Sequence, residues 1–87
     1  MREVVDYIAK NLVDEPDRVE AEEFEEEDGT VVIEVTCAAD DMGKIIGKNG
    51  RVAKAMRQLI RAVGSREGVR ATVDIVDELS EPIDDDE

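Results

Sequence analysis

The sequence predicts one α+β domain with the element order α-β-β-α-α-β, in which three helices cover one face of a three-stranded sheet. Three stretches repeat apolar residues at helical spacing, and three others alternate apolar with polar residues as strands do. The 87 residues include one Tyr, one Phe and no Trp, so the core must consist of aliphatic side chains. Such a core suits a thin layer of helices on a sheet.

Residues 2–13 are predicted to form the first helix. Apolar residues recur there at three- and four-residue spacing, which makes one stripe on a helix surface. The stripe comprises Val4, Val5, Ile8, Ala9 and Leu12. Pro16 disfavours helical backbone at the residue before it, so we expect the helix to end ahead of this proline.

A β-hairpin is predicted next, with strands over residues 18–27 and 30–38 joined at the tight-turn pair Asp28-Gly29. The second strand has the clearer alternation. Its apolar face comprises Val31, Ile33, Val35 and Cys37.

The first strand has one irregularity. Phe24 is out of phase with Val19 and Ala21. A β-bulge near Glu22 and Glu23 would restore the register, because a bulge adds one residue to one strand of a pair.

A short helix is predicted over about residues 41–46, with Asp40 or Asp41 as its N-cap, since a carboxylate there can accept from the first free N–H groups. The segment Gly47-Lys48-Asn49-Gly50 then interrupts the helical pattern.

A longer helix is predicted from Arg51 to about Arg66, followed by a last strand over residues 69–76. We expect the buried side of this helix to be formed by Val52, Met56, Leu59 and Val63, flanked by Ala53, Ala55, Ile60 and Ala62. Residues 1–76 are therefore interpreted as one domain. Residues 77–87 are acidic and poor in apolar residues, so they are expected to form a disordered tail.

Charge is sorted along the chain. The net charge is −13, yet residues 42–66 contain seven basic residues and no acidic one. Residues 1–42 contain fifteen acidic and three basic residues, and residues 71–87 contain eight acidic and none basic. Interactions beyond about 10 Å are largely screened at physiological salt, so a local basic surface can still attract a polyanion.

The glycine-flanked loop lies inside this basic segment. Glycines allow close approach of the backbone, and a helix that begins just after them directs free N–H groups at a bound anion. Lys48 and Arg51 add full positive charges. The alternative interpretation of the loop is an ordinary turn between two helices, and that of Arg57, Arg61 and Arg66 is a solvated helix face.

Several classes of site are disfavoured by composition. The absence of His excludes a His-based triad and His-ligated metal, and Cys37, the only cysteine, cannot form an intrachain disulfide. We expect Cys37 to be a core residue. No run of residues approaches membrane-spanning length, and no nucleophile–base pair is visible. We therefore expect no catalytic residues, no metal site, no cofactor and no membrane partner.

The chain resembles the KH domain in its bacterial (type II) arrangement over residues 1 to about 76. The resemblance is sharpest at Ile45-Ile46-Gly47-Lys48-Asn49-Gly50, which matches the I-I-G-x-x-G loop of that family. The size of the chain, its N-terminal segment and the residues that follow Gly50 resemble the small bacterial KH-domain proteins of the KhpA (YlqC) family.

This resemblance implies a cytoplasmic bacterial RNA-binding protein that acts as an RNA chaperone or post-transcriptional regulator. It also implies association as a homodimer, or as a heterodimer with a KhpB/Jag-type KH protein. Four nucleotides of single-stranded RNA would lie along a groove beside the GXXG loop. The expected RNA-binding residues are Lys44, Ile46, Gly47, Lys48, Asn49, Gly50, Arg51 and Lys54, with Val32 as a further candidate for an apolar floor.

Two departures lower the expected strength of binding. Ala53 stands where many KH domains have a larger aliphatic residue, and the hairpin around residues 22–28 is strongly acidic where type II domains can border the groove. Without an aromatic residue near the loop, base stacking cannot contribute its usual 1–3 kcal/mol or so per base. We expect weak, permissive and salt-sensitive binding. The alternative is a protein-interaction module that keeps the KH shape.

Overall fold

The computed structural model describes residues 1–79, and its elements follow the predicted order. The helices are α1 (Arg2–Leu12), α2 (Met42–Ile46) and α3 (Arg51–Arg66), and the strands are β1 (Glu20–Glu25), β2 (Val31–Cys37) and β3 (Ala71–Asp77). Single turns of 3-10 helix lie at Pro16–Arg18, Ala39–Asp41 and Lys48–Gly50. The disorder predicted for residues 80–87 lies outside the described residues.

The three strands form one sheet in the order β1-β2-β3. β1 pairs antiparallel with β2, and β2 pairs parallel with β3. Parallel neighbours require a long crossover. Residues 38–70 provide it and carry both α2 and α3. The predicted α+β class, with three helices and a three-stranded sheet, is confirmed.

The core lies between the helices and one face of the sheet, and it is aliphatic. The largest apolar side chains that are fully buried are Val5, Ile33, Val35, Ile45, Ile60 and Val73. Cys37 is buried beside them. Burial raises the pKa of the Cys37 thiol, and the Asp41 and Asp77 carboxylates raise it further. This agrees with the interpretation of Cys37 as a core residue.

The other face of the sheet carries no helix. Strand register places Glu22, Glu34 and Asp74 in a row across the three strands, because Glu22 is opposite Glu34 and Glu34 is opposite Asp74. Paired residues point to the same face of a sheet. The helix-free face therefore presents three like charges side by side.

The predicted bulge in β1 is wrong. The pairing of β1 with β2 runs without interruption, and Phe24 is opposite Val32 on the helix-free face. Phe24 is 48% exposed there. β1 is an edge strand, and Glu23 and Glu25 on its helix side are also exposed. The alternation of buried and exposed side chains is lost at this end of β1 because no helix covers it.

The buried face of α3 is rotated from the predicted one. Ala53, Met56, Ile60 and Gly64 are buried, whereas Leu59 is 41% exposed. Gly64 explains the rotation, since a Cβ at this position would lie 2.9 Å from the carbonyl oxygen of Val69 and 3.0 Å from Ala71 Cβ. The helix thus brings glycine to its closest contact with β3, and Met56 and Ile60 lie earlier on the same buried face. In α1, similarly, Val5 and Ala9 are buried while Val4 and Leu12 of the predicted stripe are partly exposed.

The last strand begins and ends later than the sequence predicts. Asp77, which was assigned to the tail, is the final residue of β3. The backbone N–H of Glu78 donates to the carbonyl of Cys37 at 2.8 Å, and Arg18 Nε donates to Glu78 Oε1 at 3.0 Å. These contacts extend the ordered chain beyond the predicted boundary.

Asp41 has a different role from the predicted N-cap. Its side chain makes no capping hydrogen bond to α2. Instead its two carboxylate oxygens accept from the backbone N–H groups of Asp14 and Glu15, at 3.2 and 3.1 Å. Asp41 is 2% exposed. It therefore ties the chain after α1 to the start of α2.

We expect Asp41→Ala to destabilise the fold by about 2–4 kcal/mol, because it leaves two backbone donors without their charged acceptor. Urea unfolding measures the difference. Asp40→Ala is the matched control, because Asp40 is exposed and its substitution removes the same charge at the neighbouring position. Equal losses for the two variants would contradict this role for Asp41.

Candidate nucleic-acid interface

The loop between α2 and α3 has an unusual backbone. Gly47, Asn49 and Gly50 have φ angles of 79°, 57° and 74°, all in the left-handed region that favours glycine. The N–H of Gly47 donates to the carbonyl of Gly43 at 2.8 Å, and that of Gly50 donates to Gly47 at 3.0 Å. The segment is thus a defined turn that leads directly into α3.

The two glycines of the motif are required for different reasons. A Cβ at Gly47 would lie 2.4 Å from Val52 Cγ2 and 2.8 Å from the backbone nitrogen of Val52. No residue with a Cβ fits at this position without a shift of Val52. A Cβ at Gly50 would meet open space, so only its positive φ favours glycine there. The first glycine packs against α3, and the second leaves the solvent side of the loop uncovered.

The predicted interface residues differ in accessibility. Lys48 and Asn49 at the tip of the loop are exposed, as are Arg51 and Lys54 in the first turn of α3. Ile46 is half-buried beside the loop. Its neighbour Ile45 is fully buried and belongs to the core. The structure brings these exposed and half-buried residues together around the loop: Ile46, Gly47, Lys48, Asn49, Gly50, Arg51 and Lys54.

Lys44 does not join this group in the same way. Its Nζ lies 3.3 Å from Asp14 Oδ2 and 3.7 Å from Asp41 Oδ1. The hydrogen bond and charge of Asp14 raise the pKa of Lys44. By contrast, none of the ion pairs among residues 1–79 involves Lys48, Arg51 or Lys54. These three cations keep their charge available to a ligand.

Two other predicted features lie away from the loop. Val32 is opposite Phe24 and Thr72 on the helix-free face, so it cannot form a floor beside Gly47–Gly50. The acidic hairpin adjoins the start of β3, where the N–H of Val31 donates to the carbonyl of Arg70 at 2.8 Å. That end of the sheet lies near the C-terminal end of α3, and the loop lies at its N-terminal end.

α3 packs along β3 on the helical side of the sheet. Gly64 contacts Ala71. Seven residues earlier, which is about two turns of α3, Arg57 Nε donates to the carbonyl of Val73 at 3.1 Å. The two elements therefore lie side by side in opposite directions. A solvated helix face was one interpretation of Arg57, and Arg57 is indeed exposed, but the sequence did not predict its contact with Val73. Its only sequence signal is the spacing of seven residues from Gly64, which puts both on one helix face.

Other kinds of site are not evident in the described part of the chain. No group of three or more carboxylate or thiol residues within residues 1–79 is arranged to hold a metal ion. None of the helices in that range is both long and apolar enough to cross a membrane. The two aromatic residues, Tyr7 and Phe24, are 70% and 48% exposed and lie outside the loop and α3.

Comparison with known proteins gives consistent matches. The family model described as KhpA/KhpB, KH domain, matches residues 2–75. The chain is 45% identical over 78 residues to a Chlamydia trachomatis protein named RNA-binding protein KhpA, covering 90% of this chain and 99% of that one. Proteins of the same name from Clostridium acetobutylicum and Aquifex aeolicus are 43% and 40% identical, over 87% and 88% of this chain and 100% and 96% of theirs. No solved structure matches the chain.

The asymmetry between the loop glycines can be tested with alanine variants. We expect Gly47→Ala to destabilise the protein by about 2 kcal/mol or more, because the new Cβ would overlap Val52 at a positive φ. Gly50→Ala should cost about 1 kcal/mol from its backbone alone. Gly43→Ala in α2 is the control, since its Cβ meets open space and alanine favours the helix by up to about 1 kcal/mol. Thermal or urea unfolding would show whether this order holds; an equal effect at Gly47 and Gly43 would contradict it.

Proposed function

The chain belongs to the KhpA/KhpB family of KH-domain proteins, and we propose that it is an RNA-binding protein. In this proposal it binds single-stranded RNA through the GXXG loop. Its relatives bear the name RNA-binding protein KhpA. The interface in this proposal comprises Ile46, Gly47, Lys48, Asn49, Gly50, Arg51 and Lys54, with Lys44 at its margin.

The observation that carries the proposal is the exposed left-handed turn at the N-terminus of α3, with three cations beside it that have no acidic partner among residues 1–79. The free N–H groups of a helix start and its partial positive charge stabilise a phosphate. Lys48, Arg51 and Lys54 extend that field along the backbone of a bound strand. Lys44 contributes less, since Asp14 and Asp41 neutralise it locally.

The bases would meet a small apolar surface. Ile46 and Val52 are half-buried apolar residues next to the loop, and Ala53 is almost fully buried, so none of them provides a large contact. Tyr7 and Phe24 lie elsewhere, so stacking does not contribute. Contacts to phosphates then supply most of the binding free energy, and the affinity for RNA falls steeply as the salt concentration rises. Weak and permissive binding of this kind suits an RNA chaperone or post-transcriptional regulator in the bacterial cytoplasm. We assign the protein no catalytic role and no cofactor.

The loop is tested by the double variant Lys48→Asp with Asn49→Asp. We expect its affinity for short single-stranded RNA at low salt to fall about tenfold or more, because phosphate contacts become repulsive. Fluorescence anisotropy with a labelled hexamer measures the change. The control is Lys10→Asp with Asn11→Asp, which makes the same change in net charge on exposed residues of α1.

An equal loss in both double variants would show that net charge alone, and not the loop, governs binding. Unchanged affinity in the loop variant would rule out the proposed interface. A low salt slope in the wild-type protein would also count against phosphate contacts as the main source of affinity.

A second candidate function is association, as a homodimer or with a KhpB/Jag-type partner. The observation in its favour is that both aromatic side chains are exposed, Tyr7 on α1 and Phe24 on the helix-free face. Aromatic residues are enriched at protein interfaces, where they bury a large area. Two associated molecules would also bind one RNA strand with higher avidity than a single molecule does.

Light scattering at high micromolar concentration tests self-association. We expect a dimer that is weakened by either Tyr7→Ser or Phe24→Ser, and the variant with the larger effect identifies the surface. A wild-type protein that remains monomeric would exclude the homodimer and leave association with a different KH protein as the remaining form of this candidate.

A further inference from the structure

β1 has a free edge on the side of the sheet away from β3. It pairs only with β2, because the strand order is β1-β2-β3. An unpaired edge offers a row of backbone N–H and carbonyl groups with which another extended chain can pair. Domains that bind peptides by strand addition use an edge of this kind. What β1 accepts depends on the direction of its backbone groups and on its side chains.

Two hydrogen bonds show which residues of β1 face this edge. The N–H of Glu26 donates to the carbonyl of Thr30 at 2.8 Å across the hairpin. Bonded pairs alternate along an antiparallel ladder, so the even-numbered residues of β1 bond to β2. Ala21, an odd-numbered residue, turns its carbonyl outward, and Arg2 Nη1 donates to it there at 3.5 Å. The odd-numbered residues of β1 therefore direct their backbone groups to the free edge.

Glu23 and Glu25 are the odd-numbered residues that remain accessible. Within residues 1–79, Arg2 is the only side chain that makes a hydrogen bond to the backbone of β1, and it does so at Ala21. α1 packs beside the start of β1, where Ala21 is buried, whereas residues 22–25 are exposed. The N–H and carbonyl groups of Glu23 and Glu25 are thus open to a partner strand.

The side chains along this part of the edge are acidic. Glu22, Glu23 and Glu25 are exposed, and none of the ion pairs within residues 1–79 includes them. A second copy of β1 would bring like charges opposite one another, which destabilises a strand pair. The edge therefore disfavours its own copy and any acidic segment, and it favours a strand that carries Lys or Arg.

Alternation along β1 defines the order of residues in a matching strand. Glu23 and Glu25 lie on the helical side of the sheet, and Phe24 between them lies on the helix-free face, where it is exposed. A complementary antiparallel strand has a basic residue opposite each of the two glutamates. It has an apolar residue between them, which packs beside Phe24, and a further basic residue opposite Glu22.

We propose that the free edge of β1 binds an extended basic-apolar-basic segment of another protein by strand addition. The backbone groups of Glu23 and Glu25 make the hydrogen bonds, and the glutamate side chains select the basic residues. This edge lies across the sheet from β3, along which α3 packs. The site is therefore separate from the loop, and it does not depend on RNA binding.

Peptides of identical charge test strand addition on the full chain. The probe is the labelled peptide Thr-Lys-Val-Lys-Lys-Thr with both ends blocked. One N-methylated form has methyl groups on the two lysines that flank valine, whose N–H groups would face Glu23 and Glu25. The other form has them on valine and the next lysine, whose N–H groups would face solvent. We expect fluorescence anisotropy at low salt to show about tenfold weaker binding of the first form than of the second.

Two kinds of variant test the protein side. Glu23→Pro removes an outward N–H and leaves the bonds to β2, since proline is tolerated on an edge strand. We expect it to weaken binding of the unmethylated peptide about tenfold, against about threefold for Glu23→Gln, which keeps the backbone donor. The double variant Glu23→Gln with Glu25→Gln should lose more affinity than its control, Asp40→Asn with Glu67→Gln, which removes two exposed charges away from β1.

Several outcomes would overturn the inference. Equal binding of the two methylated peptides, or equal losses in the two double variants, would show that net charge alone attracts the peptide. A folded Glu23→Pro protein that binds as tightly as the wild type would exclude backbone pairing at this edge. If the glutamates only keep copies of the chain apart, the Glu23→Gln, Glu25→Gln variant will aggregate and the wild type will not bind the probe. If Glu23→Pro does not fold, the methylated peptides decide the matter with the wild-type chain.

Discussion

The parallel pairing of β2 with β3 is the constraint on which the rest of the molecule depends. Antiparallel neighbours can be joined by a short turn, but parallel neighbours need a chain that returns to the same end of the sheet. Residues 38–70 make this return and contain α2, the loop and α3. The loop therefore lies on the helical side of the sheet, and α3 lies along the free edge of β3. The position of the loop relative to the sheet follows from connectivity, and the close approach at Gly64 determines the distance between α3 and β3.

The same arrangement separates the charges of an acidic protein. The helix-free face carries Glu22, Glu34 and Asp74 in one row, and the opposite side carries the cations of the loop and α3. A polyanion that approaches the sheet is repelled, and one that approaches the loop is attracted. Such a dipolar charge distribution orients the encounter before any contact forms. The net charge of −13 therefore does not describe the field at the loop, because residues 42–66 contain no acidic residue.

Much of the fold could be predicted because the periodic signals in the sequence are strong, above all the alternation in β2. The errors arose where long-range contacts decide. Hydropathy favoured Leu59 for the buried face of α3, but the short backbone distance to the start of β3 requires glycine at position 64, and the face that contains Gly64 is turned to the sheet instead. Asp41 bonds to backbone that lies 26 and 27 residues away, which no local capping rule can detect. The position of the loop was predictable from its motif and charge, whereas the contact of Arg57 depends on the rotation of α3 about its axis.

The shortness of α2 has a consequence for how the loop behaves. A helix of five residues, with Gly43 inside it and Gly47 at its end, is far below the length at which an isolated helix is stable. It is held from outside by the burial of Ile45 and by the carboxylate of Asp41. The conformation of α2 therefore depends on the rest of the domain. A change that loosens the packing of Ile45 or removes the carboxylate of Asp41 would also displace the loop that follows α2.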